Sequence, residues 1–214
     1  MIQWVYNAAR ACSQLDDVVI ATDSEEVLAL ARQRGWSATL TSPACASGSD
    51  RVYEVSRRIP AAIYVNIQGD EPLLRPEHLD ALLRPLARAE VQVSTLSTPC
   101  KPEEVHNPNA VKVVTSPDGR ALYFSRATIP YDRDGAGNAP YQKHLGLYAY
   151  RSDALQRFAQ LPPSQLETIE RLEQLRFLEN GIDVFVESTP YDTIGVDTED
   201  DLLAVEALLS SARS

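Results

Sequence analysis

Short apolar segments alternate with amphipathic helical segments along the first hundred residues, and this alternation most constrains the fold. Residues 18–21, 63–67 and 91–97 are rich in β-branched residues and are predicted to be buried strands. Helical patterns separate them, such as Glu25–Arg34, which ends at Gly35. Strands that alternate with helices predict an α/β fold, with a mostly parallel sheet and helices on both of its faces.

The second half of the chain departs from this alternation. Residues 111–125 contain two strand-like segments on either side of the turn sequence Ser-Pro-Asp-Gly at 116–119, which predicts a β-hairpin. Leucine and isoleucine at threefold to fourfold spacing predict one helix over 164–178. The length fits a single domain over 1–214, in which residues of about 107–150 form a hairpin subregion.

Charge and cysteine content exclude several classes of function. Asp and Glu outnumber Lys and Arg by 30 to 20, a formal net charge of −10, whereas coating nucleic acid requires a basic face. A nucleotide can still bind where local cations or a divalent metal supply positive charge. Cys12, Cys45 and Cys100 form no CxxC pair, which favours reduced thiols. Because no signal peptide or membrane span is evident, we expect a cytoplasmic protein without nucleic-acid or membrane partners.

Two acidic residues stand where α/β proteins bind ligands. Asp70 follows the strand at 63–67, and ligands of such sheets bind beyond the carboxyl ends of strands. A carboxylate at that position can hold Mg2+. Asp197 precedes a helix that Thr198 and Asp201 open as a capping box. Each acid alone is more simply explained as a solvated turn or helix-cap residue, so both interpretations stay open.

Two further segments carry the same ambiguity. The sequence Ser-Gly-Ser-Asp-Arg at 47–51 opens a helix, whose free N–H groups suit a phosphate or a nucleobase edge but also an ordinary N-cap. Glu173 and Gln174 fall inside the predicted helix, where a solvated face is the plainer explanation. The three histidines form no HxxxH motif, and no nucleophile elbow is present, so a zinc hydrolase or a Ser/His triad has no support.

Six segments occur in an order that resembles the 3-deoxy-manno-octulosonate (KDO) cytidylyltransferases, or CMP-KDO synthetases, along nearly the whole chain. They are NIQGDEP at 66–72, NPNAVK at 107–112, ALYFSRATIP at 121–130, HLGLY at 144–148, LEQLR at 172–176 and GVDT at 195–198. The YFSRATIP and HLGLY segments are the specific ones, whereas QGDEP is also typical of relatives that activate sialic acid. The resemblance implies a Rossmann-like nucleotidyltransferase (GT-A-like) fold.

The resemblance also implies a reaction and a set of site residues. CMP passes from CTP to KDO, giving CMP-KDO and diphosphate for lipopolysaccharide biosynthesis. Asp70 and Asp197 are implied as the catalytic ligands of Mg2+. The implied nucleotide-binding residues are Ser47, Gly48, Ser49, Arg51, Gln68 and Gly69. The implied sugar-binding residues are Arg126, His144, Tyr148, Glu173 and Gln174, with Arg126 pairing with the KDO carboxylate. A homodimer is implied as well, with the hairpin region contributing to the contact.

The family pattern begins with a strand and a loop whose Arg and Lys side chains wrap the triphosphate, and no segment of this sequence matches that loop. We therefore expect that the 214-residue chain lacks an N-terminal segment and has little or no activity. Two alternatives stay open. One is a catalytically silent dimeric homologue that retains the sugar site, and the other is a cytidylyltransferase for a different keto-sugar acid such as sialic acid.

Overall fold

The computed structural model describes residues 1–135, 139–196 and 198–211. The chain forms two compact units. The first comprises Met1–Ala61, Asn66–Asp80 and Asp192–Ser214, and the second comprises Ala62–Val65 and Ala81–Tyr191. The interpretation of residues 1–214 as one functional domain stays a prediction.

Helices and strands alternate as the sequence predicts. In chain order the elements are α1 (Ile2–Ala11), β1 (Ile20–Thr22), α2 (Glu25–Arg34), β2 (Ala38–Leu40), α3 (Gly48–Ser56), β3 (Ile63–Asn66), α4 (Pro76–Leu83), β4 (Val93–Pro99), β5 (Lys112–Thr115), β6 (Ala121–Ser125), β7 (Gln142–Arg151), α5 (Ser152–Gln160), α6 (Gln165–Glu170), α7 (Leu175–Glu179), β8 (Val184–Ser188) and α8 (Glu199–Ser211). Short 3-10 helices occupy Arg84–Ala87 and Pro102–Glu104.

The first unit is built on the parallel pair β1 and β2, which α2 connects. Ser24 caps α2, because its Oγ accepts a hydrogen bond from the Val27 N–H at 3.3 Å. Gly35 ends the helix with φ at 68°, a left-handed conformation that glycine adopts without steric cost. The next helix in the sequence after β2 is α3.

The second unit contains a six-stranded sheet in the order β6-β5-β7-β4-β8, with β3 paired to β7. β4 and β8 are parallel, whereas β7 is antiparallel to both β4 and β5. The sheet is thus mixed, although the alternation of strands and helices predicted a mostly parallel one. The predicted hairpin is confirmed as β5 and β6, whose turn contains Gly119 with φ at 86°.

The prediction of a single helix over 164–178 is wrong, because the chain forms two short helices there. α6 ends where Arg171 adopts a left-handed conformation with φ at 54°, and α7 begins only at Leu175. Glu173 and Gln174 consequently lie in the turn between two helices. A second difference is α5, which has no counterpart among the predicted elements.

A row of stacked aromatic rings links the core of the second unit to β7. Phe158 of α5 stacks on Phe177 of α7, with ring centroids 4.5 Å apart, and Phe177 stacks on Tyr150 of β7 at 5.8 Å. Tyr150 in turn stacks on Tyr148 at 5.8 Å. Rings that bury large apolar areas in this way fix one another's rotamers. The position of Tyr148 is therefore set from the core outward.

No helix in the described part of the chain has the length and apolar character needed to cross a membrane. Cys12, Cys45 and Cys100 are all free thiols in this structure, and Cys12 is buried.

Candidate active site

The first unit presents the amino end of α3. Ser47 is the N-cap, and its Oγ accepts a hydrogen bond from the Asp50 N–H at 3.2 Å. Gly48 and the fully buried Ser49 form the first turn. The predicted helix opening at 47–51 is thereby confirmed as an N-cap, and an N-cap of this kind leaves other N–H groups of the first turn without intrahelical partners.

Two amide side chains pack directly on the start of α3. A Cβ added to Gly48 would lie 2.6 Å from Gln68 Nε2 and 2.9 Å from Asn66 Nδ2. Glycine is required here because any side chain would displace these amides. Asn66 is buried, and its Nδ2 has no hydrogen-bond partner among the residues described. A buried amide left unsatisfied costs about 1–3 kcal/mol, so this group is placed for a ligand or a solvent molecule.

Arg51 joins this group from the next turn of α3. Its Nη2 lies 3.2 Å from Asp23 Oδ2, and its Nη1 donates to Thr41 Oγ1. Asp23 follows β1 and Thr41 follows β2, so the guanidinium is held beyond the carboxyl ends of both strands. Its side chain is 23% exposed, and Asp23 compensates part of its charge.

The loop after β3 places Asp70 beside the segment that precedes Asp197. The Asp70 backbone oxygen accepts a hydrogen bond from the Val196 N–H at 3.0 Å. Asp197 itself lies outside the described residues, so its approach to the Asp70 carboxylate stays a prediction. A Cβ added to Gly69 would meet no atom within 4 Å, which shows open space next to Asp70.

The second unit holds the other predicted residues, and a β-bulge brings two of them together. Thr95 of β4 is opposite Tyr148, whereas Leu96 is opposite Leu145, so two residues of β4 face four of β7. Ser97 is then opposite His144. Four residues of a regular strand would span about 13 Å. The rings of His144 and Tyr148 are instead 5.5 Å apart, and together they form one surface.

His144 is neutral in this setting. The residue is 9% exposed, and its Nε2 is 2.9 Å from Thr95 Oγ1. Its ring packs edge-on against the ring of Phe124, with the two ring centroids 4.9 Å apart. Burial lowers the pKa of His144 to about 3, because the charged imidazolium would lose its hydration. The side chain therefore acts as a neutral hydrogen-bonding group at physiological pH.

Arg126 is held by backbone oxygens rather than by a carboxylate. Its Nε donates to Glu170 O at 2.8 Å, Nη1 to Pro108 O at 3.0 Å and Nη2 to Arg171 O at 3.4 Å. The Glu170 carboxylate accepts instead from the Arg126 backbone N–H and from Ser125 Oγ. Within the described ranges no carboxylate forms an ion pair with this guanidinium, so its orientation is fixed and its charge remains for an anion.

The turn that supplies two of these oxygens also carries Glu173 and Gln174. Gln174 is 2% exposed, and its Nε2 has no hydrogen-bond partner among the described residues. The expectation that Gln174 belongs to a solvated helix face is therefore wrong. The left-handed residue Arg171 ends the helix and folds the following turn inward. Glu173 is half-buried.

Each unit thus contains its own group of predicted residues. The first contains Ser47, Gly48, Ser49, Arg51, Gln68, Gly69 and Asp70, and the second contains Arg126, His144, Tyr148, Glu173 and Gln174. The sequence pattern did not single out Asn66 or Thr95, since a polar residue inside a strand looks ordinary. Asn66 could have been found from its position two residues before Gln68, which places both side chains on one face.

Comparison with known proteins identifies the group to which these features belong. The cytidylyltransferase family model matches residues 1–187. A 3-deoxy-manno-octulosonate cytidylyltransferase of Acidobacterium capsulatum is 66% identical over 209 residues, which cover 98% of this chain and 85% of that protein. The enzyme of the same name from Koribacter versatilis is 59% identical over 211 residues, which cover 99% of this chain and 80% of that protein.

A solved structure shows the same similarity. A CMP:2-keto-3-deoxy-manno-octonic acid synthetase complexed with CTP is 40% identical to this chain and superposes with a TM-score of 0.94, and the match covers 99% of this chain and 88% of that one. The expected Rossmann-like nucleotidyltransferase fold is thereby confirmed.

Burial of His144 makes a prediction for stability. The folded pKa of about 3 lies below the ordinary value of 6.5, so the free energy that this residue contributes is present above pH 6.5 and is lost as the pH falls towards 3. From pH 7 to pH 5 the loss is about 2 kcal/mol. His144→Gln should flatten the pH dependence of the free energy of unfolding by that amount, measured by denaturant titration at both pH values. Phe124→Leu, which disturbs the same packing without a titrating group, should lower stability equally at both. An unchanged slope in His144→Gln would contradict the assignment.

Proposed function

The chain belongs to the cytidylyltransferase family, and on that premise we propose that it transfers CMP from CTP to KDO, giving CMP-KDO and diphosphate. The observation that carries this proposal is the arrangement around Arg126. Its guanidinium forms no ion pair with a carboxylate of the described residues, and the same unit offers a neutral imidazole at His144 and a buried amide at Gln174. A sugar acid, with one carboxylate and several hydroxyl groups, matches a unit that offers one fixed cation together with neutral polar groups.

The first unit offers a different set of groups, which suits a nucleotide. The amides of Asn66 and Gln68 can donate to the carbonyl and ring nitrogen of a pyrimidine. The first turn of α3 supplies N–H groups, and the partly compensated Arg51 supplies a cation. We assign the binding of CTP to these residues, together with Ser47, Gly48, Ser49 and Gly69.

The reaction is a displacement at phosphorus. The anomeric oxygen of KDO forms a bond to the α-phosphorus of CTP while the bond to the diphosphate oxygen breaks, and the proton of the hydroxyl group is released. Catalysis of such a step rests on positioning the two reactants and on neutralising charge. Arg126 fixes the sugar carboxylate, and His144, Tyr148, Glu173 and Gln174 orient the hydroxyl groups.

A divalent metal fits Asp70. The carboxylate is a hard oxygen ligand, and the open space beside Gly69 leaves room for a cation with its phosphate ligands. We propose that Asp70 and Asp197 hold Mg2+, which when bound offsets the negative charge of the phosphates.

Assembly and location are further parts of the proposal. Leu122 of β6 is 55% exposed and Tyr131, shortly after that strand, is 85% exposed, which supports a homodimer contact through the hairpin region. Free thiols and the use of CTP support a cytoplasmic enzyme. The product CMP-KDO would serve lipopolysaccharide biosynthesis.

The central test is product formation. With CTP, KDO and Mg2+ present, we expect CMP-KDO and diphosphate to accumulate in equal amounts, measured by mass spectrometry over hours at micromolar enzyme so that slow turnover is detected. Asp70→Asn should slow turnover about 100-fold or more and change the Kd for CTP by less than about threefold. Glu77→Gln, which removes an exposed carboxylate of α4, should leave turnover within about twofold of the parent.

Two outcomes of the same assay would favour the alternative functions. Faster product formation with sialic acid than with KDO would favour another keto-sugar acid as the substrate. Binding of KDO without any product would favour the catalytically silent homologue.

A second prediction concerns Gly48. Gly48→Ala forces the Gln68 and Asn66 amides away from the start of α3, so the Kd for CTP should rise about 5- to 10-fold, measured by calorimetric titration. Gly35→Ala is the matched control, since its Cβ meets open space but its φ is 68°. That variant should lose about 1 kcal/mol of stability and bind CTP as the parent does. Equal CTP affinity in the two variants would remove these amides from the nucleotide site.

A third prediction concerns the sugar. His144→Ala removes a neutral polar group that we assign to the sugar and not to the nucleotide, so the Kd for KDO should rise about 10-fold while the Kd for CTP stays within about twofold. Both constants can be measured by titration of the same protein preparation. Equal weakening of both ligands would show that His144 supports the fold rather than the sugar.

A further inference from the structure

Thr95 occupies a position on β4 at which the strand faces the bulge of β7. Its side chain is completely buried. Its Oγ1 lies 2.9 Å from His144 Nε2, 2.7 Å from Leu147 O and 3.2 Å from Leu145 O. One hydroxyl group thus contacts an imidazole nitrogen and two backbone carbonyl oxygens.

The protons of this group follow from its partners. A threonine hydroxyl has one proton to donate, and a carbonyl oxygen can only accept. At 2.7 Å, Leu147 O must receive the Thr95 proton, which it shares with the more distant Leu145 O. The hydroxyl oxygen can then only accept from His144, so Nε2 of the imidazole carries the proton.

The tautomer leaves the other ring nitrogen as an acceptor. A neutral imidazole has a single N–H, so Nδ1 of His144 keeps a lone pair when Nε2 is protonated. Nδ1 makes no hydrogen bond to the residues that the structure describes, whereas Nε2 is bonded. Any ligand that approaches Nδ1 must therefore donate a hydrogen bond.

We propose that Thr95 is a positioning residue that fixes His144 in the Nε2–H tautomer, so that Nδ1 accepts a hydrogen bond from a hydroxyl group of the sugar acid. The proposal rests on the proposed function in assigning the sugar to the second unit. It gives His144 a selective role, because an acceptor nitrogen repels a carboxylate and favours a hydroxyl group. The carboxylate is left for the guanidinium of Arg126, and the two contacts together set the direction in which the sugar binds.

The bulge is what makes this arrangement possible. In a regular antiparallel ladder, the carbonyl oxygens of β7 alternate between hydrogen bonds to the two neighbouring strands. The extra residues of the HLGLY segment interrupt the ladder between Thr95 and Leu96, which turns the Leu145 and Leu147 carbonyls towards one side chain. The same interruption brings His144 to that side chain.

The tautomer can be measured directly by 15N NMR of the imidazole nitrogens. The chain has three histidines, so His144 can be assigned by comparison with His144→Gln. In the parent protein, His144 should show a protonated Nε2 and an unprotonated Nδ1 at pH 7. A protonated Nδ1 would overturn the proposal whatever the variants do.

Two variants test the consequence for binding. Thr95→Val keeps the shape of the side chain and removes the hydroxyl group, so His144 should lose its single tautomer. The Kd for KDO should rise about 3- to 10-fold, while the Kd for CTP stays within about twofold. Thr95→Ser restores the hydroxyl group and should return both the NMR signature and the KDO affinity towards the parent values.

The outcomes separate the two hypotheses. If the parent binds KDO and Thr95→Val changes the tautomer without changing KDO affinity, the positioning role is wrong. If Thr95→Val weakens KDO and CTP alike with the tautomer unchanged, Thr95 is only structural. If the parent shows the Nε2–H tautomer and does not bind KDO, the proposed function fails. The assignment of the tautomer to Thr95 then stands, and the assignment of Nδ1 to a sugar hydroxyl group fails with the function.

Discussion

The pairing of β7 with three other strands is the interaction on which the second unit depends. This ten-residue strand joins β3, β4 and β5 into one sheet, and its bulge against β4 determines what the sheet presents. If β7 were a regular strand, His144 and Tyr148 would be separated by the length of four strand residues. Because the strand is bulged, the two rings instead lie 5.5 Å apart, and the carbonyl oxygens of Leu145 and Leu147 contact Thr95. The aromatic row from Phe158 to Tyr148 packs the end of the bulge against the core of the unit.

Backbone carbonyl oxygens, rather than carboxylates, hold two cations of this unit, Lys112 and Arg126. Lys112 is completely buried, and its Nζ donates to Asn107 O and Ala110 O. Burial lowers the pKa of Lys112, and the two oxygens offset part of the lost hydration. The same short segment gives Pro108 O to Arg126 and Val111 O to the backbone of His144. Lys112 therefore stabilises the loop that orients two of the proposed sugar-binding residues.

The sequence predicts the elements of this fold well where local patterns decide them, and less well where tertiary contacts do. Gly35 ends α2 as expected, and the turn before β6 forms the expected hairpin. The helix predicted over 164–178 failed because leucine spacing cannot show that Arg171 adopts a left-handed conformation. The bulge could not be predicted either, since extra strand residues are defined only by the partner strand. Thr95 and Asn66 were not predicted as site residues for the same reason. Their roles depend on tertiary contacts, those of Thr95 with His144 and of Asn66 with Gly48.

The two units solve different electrostatic problems for a chain with a formal net charge of −10. Both proposed substrates are anions, which a uniformly acidic surface would repel. In the first unit, Arg51 is paired with Asp23, and amides, hydroxyl groups and helix N–H groups provide the remaining donors. Neutral donors of this kind can bind a base and phosphates only if further positive charge accompanies the nucleotide, which is the contribution expected of a divalent cation. In the second unit, the proposed sugar carboxylate needs one fixed positive charge, for which we propose Arg126, held by three backbone oxygens and not ion-paired with any described carboxylate. The acidic character of the chain is therefore compatible with the proposed chemistry. In an acidic protein, each anionic substrate is expected to bind only where a cation is held, which is the proposed metal ion in the first unit and Arg126 in the second.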